Sequence, residues 1–220
     1  DKPMDVFGPG WGDHAERVKV AWNELVTDDD IVIIAGDISW GLKLDEAMAD
    51  LDWIHELPGQ KVLLRGNHDL WWCRIQHLRT LYDDMHFLQN DCYYLEELDL
   101  AICGSRGWPS PDAATYTEHD EKMYLREQGR LRNSLVEAKK KGASRIITAM
   151  HYPPAKMEET EFTRIMQEYG VTQCVYGHLH GMVAWANGIK GEHGGIDYKL
   201  VSLDYLGAKP KLIYDSEQEM

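Results

Sequence analysis

The stretch Lys61-Val62-Leu63-Leu64-Arg65-Gly66-Asn67-His68-Asp69 decides how this chain folds. Val62-Leu63-Leu64 is apolar on both faces, the pattern of a strand buried inside a parallel sheet. Gly66 ends it, and an amide, an imidazole and a carboxylate follow. Polar groups at the carboxyl end of a buried strand stand where open α/β sheets bind their ligands.

Three other strand ends have the same character. Residues 31–35 (Ile-Val-Ile-Ile-Ala) run into Gly36-Asp37, residues 145–150 run into His151, and residues 172–176 run into Gly177-His178-Leu179-His180. Four apolar runs each deliver a residue type that ligates metals, which reads as one site assembled from four loops. Helical spacing of apolar residues predicts helices over about 14–26 (with Asp13 as cap) and 43–57, and further helices are read over about 70–82, 117–141 (long and polar) and 157–169. Residues 92–95 and 98–103 read as a hairpin. Residues 1–12 read as loop, and 191–195 as a flexible loop. Beyond Gly177 the pattern changes to short strands over 182–186, 198–203 and 211–214. Strands alternating with helices, then a run of strands, imply a mixed architecture with more than one sheet.

Composition sets the outer bounds. A chain of 220 residues fits one domain spanning 1–220, and 44% hydrophobic with 27% charged residues is globular. The net charge of −14 argues against a surface that tracks the phosphates of DNA or RNA. It leaves room for a small anionic substrate, because bound cations invert the local potential of a pocket. The sequence holds no stretch of membrane-spanning length and no signal-peptide pattern, so no membrane partner is expected and the reading is cytoplasmic. Cys103 and Cys174 lie inside strand-like runs and read as reduced core thiols. Composition leaves the oligomeric state open.

The candidate ligands are Asp37, Asn67, His151, His178 and His180: oxygens and imidazoles with no thiolate. That mixture suits Mn, Fe, Zn or Ni better than Ca or Mg. Asp37 is the single carboxylate among them and so the natural bridge between two ions. His178 and His180, in a turn after Gly177, could serve neighbouring ions. Each piece alone has a plainer reading: Gly36-Asp37 as a turn, Asp69 as a helix cap, His151-Tyr152-Pro153-Pro154 as a rigid loop. Their common position at strand ends favours the site.

The ordered series Gly36-Asp37, Gly66-Asn67-His68-Asp69, His151 and Gly177-His178-Leu179-His180 resembles the calcineurin-like metallophosphoesterase superfamily. The resemblance implies a four-layer α/β/β/α sandwich, two packed mixed sheets flanked by helices, with two divalent transition-metal ions at the sheet edges. It implies that Asp37 bridges them, that Asn67, His151 and His178 complete one, and that His180 serves the other. His68 would be the proton donor and phosphate contact, oriented by Asp69. Two such ions can activate water and polarise a phosphoryl group for in-line displacement. Arg106, in a Gly-rich loop, is a candidate contact to the substrate phosphate, or simply an exposed loop arginine.

The family opens with a strand ending in Asp-x-His. No such strand precedes Gly36, and Asp13-His14 lacks the intervening residue. The expectation is that the chain starts just after its natural first strand, rather than that this member has degenerated to one metal. The function expected is hydrolysis of a phosphate mono- or diester of a small molecule. A non-catalytic scaffold of the same fold and a nuclease of the same family are the alternatives.

Overall fold

The computed structural model describes residues 4, 8–113 and 115–219. Strands β1 (Ile31–Ile34), β2 (Gln60–Leu64) and β3 (Met85–Leu88) form a three-stranded sheet in the order β1-β2-β3, parallel throughout. A second sheet holds β4 (Tyr93–Leu95), β5 (Leu100–Ser105), β6 (Arg145–Met150), β7 (Gln173–Tyr176), β8 (Gly191–His193) and β9 (Ile196–Leu200). Its order is β4-β5-β6-β7-β9-β8, with β5, β6, β7 and β9 parallel and the edges β4 and β8 antiparallel.

The two-residue period of a strand explains the layering. In β2, Val62 and Leu64 face the second sheet, where they meet Ile102, Ala149 and Val175. Leu63 points the other way, against Ala47, Leu51 and Ile54 of helix α2 (Leu44–His55). The second sheet repeats the division. Cys103, Ile146, Cys174 and Tyr198 turn outward onto helices α4 (Glu118–Lys140) and α5 (Glu161–Glu168), against Leu131, Leu135, Phe162 and Ile165. The result is the four-layer α/β/β/α sandwich.

Helix α4 opens with a capping box. Thr117 Oγ1 accepts from the Asp120 amide at 3.3 Å, while Asp120 Oδ2 accepts from the Thr117 amide at 2.9 Å. Lys139 and Lys140 occupy its last turn, where cations suit the helix dipole. Cys103 and Cys174 are buried and unpaired, as expected.

Several sequence expectations give way. Helix α1 (His14–Leu25) starts after Asp13, but Asp13 sits at φ 48° with no capping hydrogen bond from its side chain. The helix expected over 70–82 shrinks to the single turn α3 (Ile75–Leu78). Asp69 holds the Trp71 indole and tight turns follow, so both tryptophans enter the core before a helix can start. The apolar run expected as a strand over 182–186 is instead the short helix α6 (Met182–Trp185), none of whose residues is buried. A short apolar run does not by itself separate the two.

No strand forms over 211–214, where Tyr214 instead receives the Arg145 guanidinium. Residues 191–193, expected as flexible loop, form strand β8. Strand β3 was not foreseen because polar His86 interrupts its apolar pattern. Of residues 1–12, expected as loop, 1–3 and 5–7 lie outside the described residues, and Pro9–Trp11 is a 3₁₀ turn. Among the described residues no helix is long and apolar enough to cross a membrane.

Candidate metal centre

Asp37, Asn67, His151 and His178 each follow a parallel strand by one to three residues: β1, β2, β6 and β7 respectively. Parallel neighbours end at one edge, so packing the two sheets brings four loops together. The approach is close enough to require glycine twice. A Cβ on Gly66 would fall 2.1 Å from Asp37 Oδ1, and one on Gly36 would fall 2.8 Å from His151 Nδ1. Asp37 (φ 57°) and His178 (φ 68°) adopt left-handed backbone, a conformation that costs a side-chain-bearing residue energy and gathers at functional sites.

The donor atoms converge. Asn67 Oδ1 lies 2.6 Å from His151 Nε2 and 3.0 Å from His178 Nδ1, and the two ring nitrogens are 3.2 Å apart. Asp37 Oδ2 is 3.5 Å from His151 Nε2. His151 Nδ1 lies 2.9 Å from the Ala35 carbonyl, which can only accept, so Nδ1 carries the proton and Nε2 presents a lone pair. That lone pair faces the carbonyl oxygen of Asn67, an acceptor against an acceptor. Donors held about 2.0–2.2 Å from one cation stand roughly 2.9–3.5 Å from each other. The His178 Nδ1 contacts to Asn67 and His151 and the Asp37–His151 contact fall in that range, while Asn67 Oδ1 and His151 Nε2, at 2.6 Å, must part slightly to share an ion.

Electrostatics favour the same state. Burial, ahead of the opposing pull of Asp37, lowers the pKa of His151. Burial, then the nearby His151, lowers His178 to about 4. Both imidazoles are therefore neutral near pH 7, the form that ligates.

Asp69 is fully buried and binds the two loops together. Its carboxylate accepts from the amides of Asp37 (2.9 Å), Ile38 (2.8 Å), Ser39 (3.1 Å) and Gly66 (2.7 Å), and from the Trp71 indole (3.0 Å). Burial raises its pKa, opposed by the Gly66, Ser39 and Ile38 amides. His68 is exposed at the mouth, its ring 4.0 Å from that of Trp40, and its amide donates to Asp37 Oδ1 at 2.8 Å.

His180 stands apart from the close group. It is exposed, its ring lies 5.2 Å from that of Trp11, and its Nδ1 is 2.9 Å from Asp204 Oδ1. The Gly181 amide donates to the other oxygen of Asp204. Sequence reading missed Asp204, which sits in no motif. It also missed Tyr152 as part of the site, although the residue adjoins His151; its ring packs 4.3 Å from that of His178. Arg106 is not an exposed loop residue: its side chain is only 10% exposed and its guanidinium lies 4.4 Å from the Trp108 ring.

Among the described residues one other close group of potential ligands occurs, His55, Asp83 and Asp84. There the Lys61 ammonium, 2.5 Å from Asp84 Oδ2, already supplies the positive charge.

Comparison with known proteins adds four observations. The family model described as calcineurin-like phosphoesterase matches residues 9–182. The gene 66 protein of Mycobacterium phage L5 is 44% identical over 57 residues, 26% of this chain and 27% of that protein. The gene 66 protein of Mycobacterium phage D29 is 42% identical over 65 residues, 30% and 31% of the two chains. The match thus spans less than a third of the length of either phage relative. Among solved structures, a protein of unknown function from Aquifex aeolicus, AQ665, is 14% identical with a TM-score of 0.46, over 90% of this chain and 80% of that one.

Proposed function

The chain belongs to the calcineurin-like phosphoesterase family, and from that premise we propose that it hydrolyses phosphate mono- or diesters of a small molecule at a dinuclear centre. The observation that carries this reading is the opposed pair of acceptors, His151 Nε2 and Asn67 Oδ1, 2.6 Å apart at the carboxyl edge of both sheets. In this reading Asp37, Asn67, His151 and His178 hold one ion, and Asp37 with His180 contributes to the other. Divalent transition metals bound there, Mn, Fe, Zn or Ni, would supply an activated water and positive charge opposite the phosphoryl oxygens.

The chain's own groups do the rest. His68, exposed beside Trp40 and tethered through its amide to Asp37, is the imidazole this reading assigns to the leaving ester oxygen. A departing alkoxide needs a proton, and a positioned imidazole can give it. Asp69 acts as a positioning residue: it fixes the backbone on both sides of the site, so that Asp37 and Asn67 keep their separation. The tight Gly36–Gly66 approach leaves no slack between these loops.

The test is turnover of an alkyl and an aryl phosphate monoester, and the corresponding diesters, with added Mn²⁺, alongside His68→Ala. Loss of a general acid costs roughly 10²–10⁴-fold. The alkyl ester should fall further than the aryl ester, whose leaving group departs without a proton. Absence of metal-dependent turnover in the wild-type chain, or equal turnover by the variant on alkyl esters, overturns the proposal.

A further inference from the structure

His180 and Asp204 stand at matching places beyond two neighbouring strands. Tyr176, the last residue of β7, pairs with Leu200, the last residue of the parallel strand β9. From there each segment runs four residues further, one to His180 and the other to Asp204. Parallel strands finish on one side of a sheet, the side where open α/β sheets bind ligands, so the two turns meet beside the metal centre. His180 is two residues from His178, at most about 7.6 Å between Cα atoms.

The Asp204 side chain is only 8% exposed, while that of His180 is 40% exposed. Asp204 Oδ1 accepts from His180 Nδ1 at 2.9 Å and from the Tyr205 amide at 3.1 Å. Its Oδ2 accepts from the Gly181 amide at 2.9 Å. Both oxygens are thus engaged with His180, with the residue after it and with their own turn. An ionised carboxylate only accepts, so His180 Nδ1 carries the proton and Nε2 presents its lone pair. The Ala35 carbonyl imposes the same tautomer on His151.

The turn that carries Asp204 is itself held. The Leu206 amide donates to the Ser202 carbonyl at 3.0 Å, and the Ala208 amide to the Leu203 carbonyl at 2.9 Å. The Arg17 guanidinium donates to the Gly10 carbonyl at 2.8 Å and to the Gly207 carbonyl at 3.2 Å. One side chain of α1 therefore joins this turn to the one that carries Trp11. The buried Trp11 ring lies 5.2 Å from that of His180. With a hydrogen bond at one nitrogen and an indole against the ring, the imidazole has few orientations left.

We propose that Asp204 is the positioning residue of the second ion: it fixes the tautomer and the direction of His180, so that Nε2 is the atom offered. A carboxylate behind a metal-ligating imidazole also raises its basicity, and loss of such a partner weakens metal affinity roughly 10–100-fold. The inference rests on the two-ion reading of the site for its metal and on the Asp204 contacts alone for its geometry.

The test reads metal binding and not turnover. Protein stripped of metal is dialysed against increasing Mn²⁺, and bound ion per chain is counted. Two ions are expected, the tighter held with His151 and His178. Asp204→Ala should leave the tighter ion in place and weaken the other roughly 10–100-fold. His180→Ala should weaken it at least as much, and the double variant no further than His180→Ala, because Asp204 acts through that ring. Nitrogen-15 NMR of the metal-free protein should show His180 protonated at Nδ1 in the wild type, and that preference should be lost in Asp204→Ala. Should Asp204→Ala fail to fold, Asp204→Asn carries the test: its amide oxygen still accepts, so the tautomer should persist while the second ion binds more weakly.

A single bound ion in the wild type overturns the proposal, and so does a wild-type His180 protonated at Nε2. Wild-type affinity for both ions in Asp204→Ala overturns it as well. Loss of both ions together in a variant that melts lower does the same, since Asp204 would then hold the fold rather than His180. Two ions with the expected dependence on Asp204, and no turnover of any phosphate ester, uphold the positioning role and remove the phosphoesterase reading instead.

Discussion

His151 Nε2 and His178 Nδ1 face each other at 3.2 Å beyond the carboxyl ends of the neighbouring strands β6 and β7. Both rings are driven neutral by burial, and the Asn67 oxygen stands between them. A shared cation relieves this arrangement, so metal binding should stabilise the fold. A ligand that binds only the folded state at a hundred times its Kd adds about 2.7 kcal/mol. Mn²⁺ or Zn²⁺ should therefore raise the melting temperature of metal-stripped protein by several degrees. His178→Ala should lose most of that rise and bind metal at least tenfold more weakly in equilibrium dialysis. An equal rise in both proteins would show that the ion binds elsewhere.

The same rings give the stability of the metal-free protein a definite pH dependence. The pKa of His178 is about 4 in the folded chain, against an ordinary value of 6.5. As pH falls below about 6.5 the unfolded chain takes up a proton that the folded chain refuses, so stability present above that pH is lost on the way to about pH 4. The loss is up to about 3 kcal/mol for this ring, and His151, also lowered, adds in the same direction. Urea unfolding midpoints between about pH 7.5 and pH 4.5 should fall, and more steeply than in His178→Gln. Parallel curves for the two proteins would place the proton uptake on other groups.

Glycine substitutions separate the site from the rest of the chain. In Gly66→Ala the new Cβ would lie 2.1 Å from Asp37 Oδ1 and 2.2 Å from the Asp37 amide nitrogen, so two loops must part. Overpacking of this kind costs about 1–3 kcal/mol, and metal retention should fall with it. Gly129→Ala is the contrasting case: that glycine is exposed within helix α4 with nothing near its Cβ direction. It should gain roughly 0.5–1 kcal/mol. Thermal melts and metal content of the two variants check both signs.

The convergence of Asp37, Asn67, His151 and His178 was legible because its parts are local: each follows an aliphatic run, three of them through a glycine, and parallel strands end on one side. The four layers were legible for a similar reason, since runs such as 61–65 and 145–150 are too apolar to tolerate water on either face. What the sequence hid depends on long-range pairing. Asp204 belongs to no motif and is recognisable only once it meets His180 and the Gly181 amide. Glu127 reads as a charge on a polar helix, yet it is fully buried beneath arginines from three elements. Helix α3 is short because Trp71 reaches back to Asp69, a contact that helical periodicity does not anticipate.

Asp69 carries the last prediction. Its two oxygens accept five N–H groups, four from the backbone of both loops and one from Trp71. An asparagine there keeps one oxygen and turns an NH₂ toward donors, so Asp69→Asn leaves at least two buried amides unmet. Each costs about 1–3 kcal/mol. The variant should therefore unfold about 2–5 kcal/mol more easily, well beyond a surface substitution. Because the Asp37 and Gly66 amides share Oδ2, the asparagine that releases them keeps Oδ1 for Ile38, Ser39 and the Trp71 indole, so loss of metal should accompany loss of stability while Trp71 fluorescence in the folded variant changes little. Unfolding and metal titration on the same sample check this. A variant that melts lower yet binds metal with unchanged affinity would mean that the loops keep their spacing without the carboxylate, and the positioning role would pass to the Gly36–Gly66 contact alone.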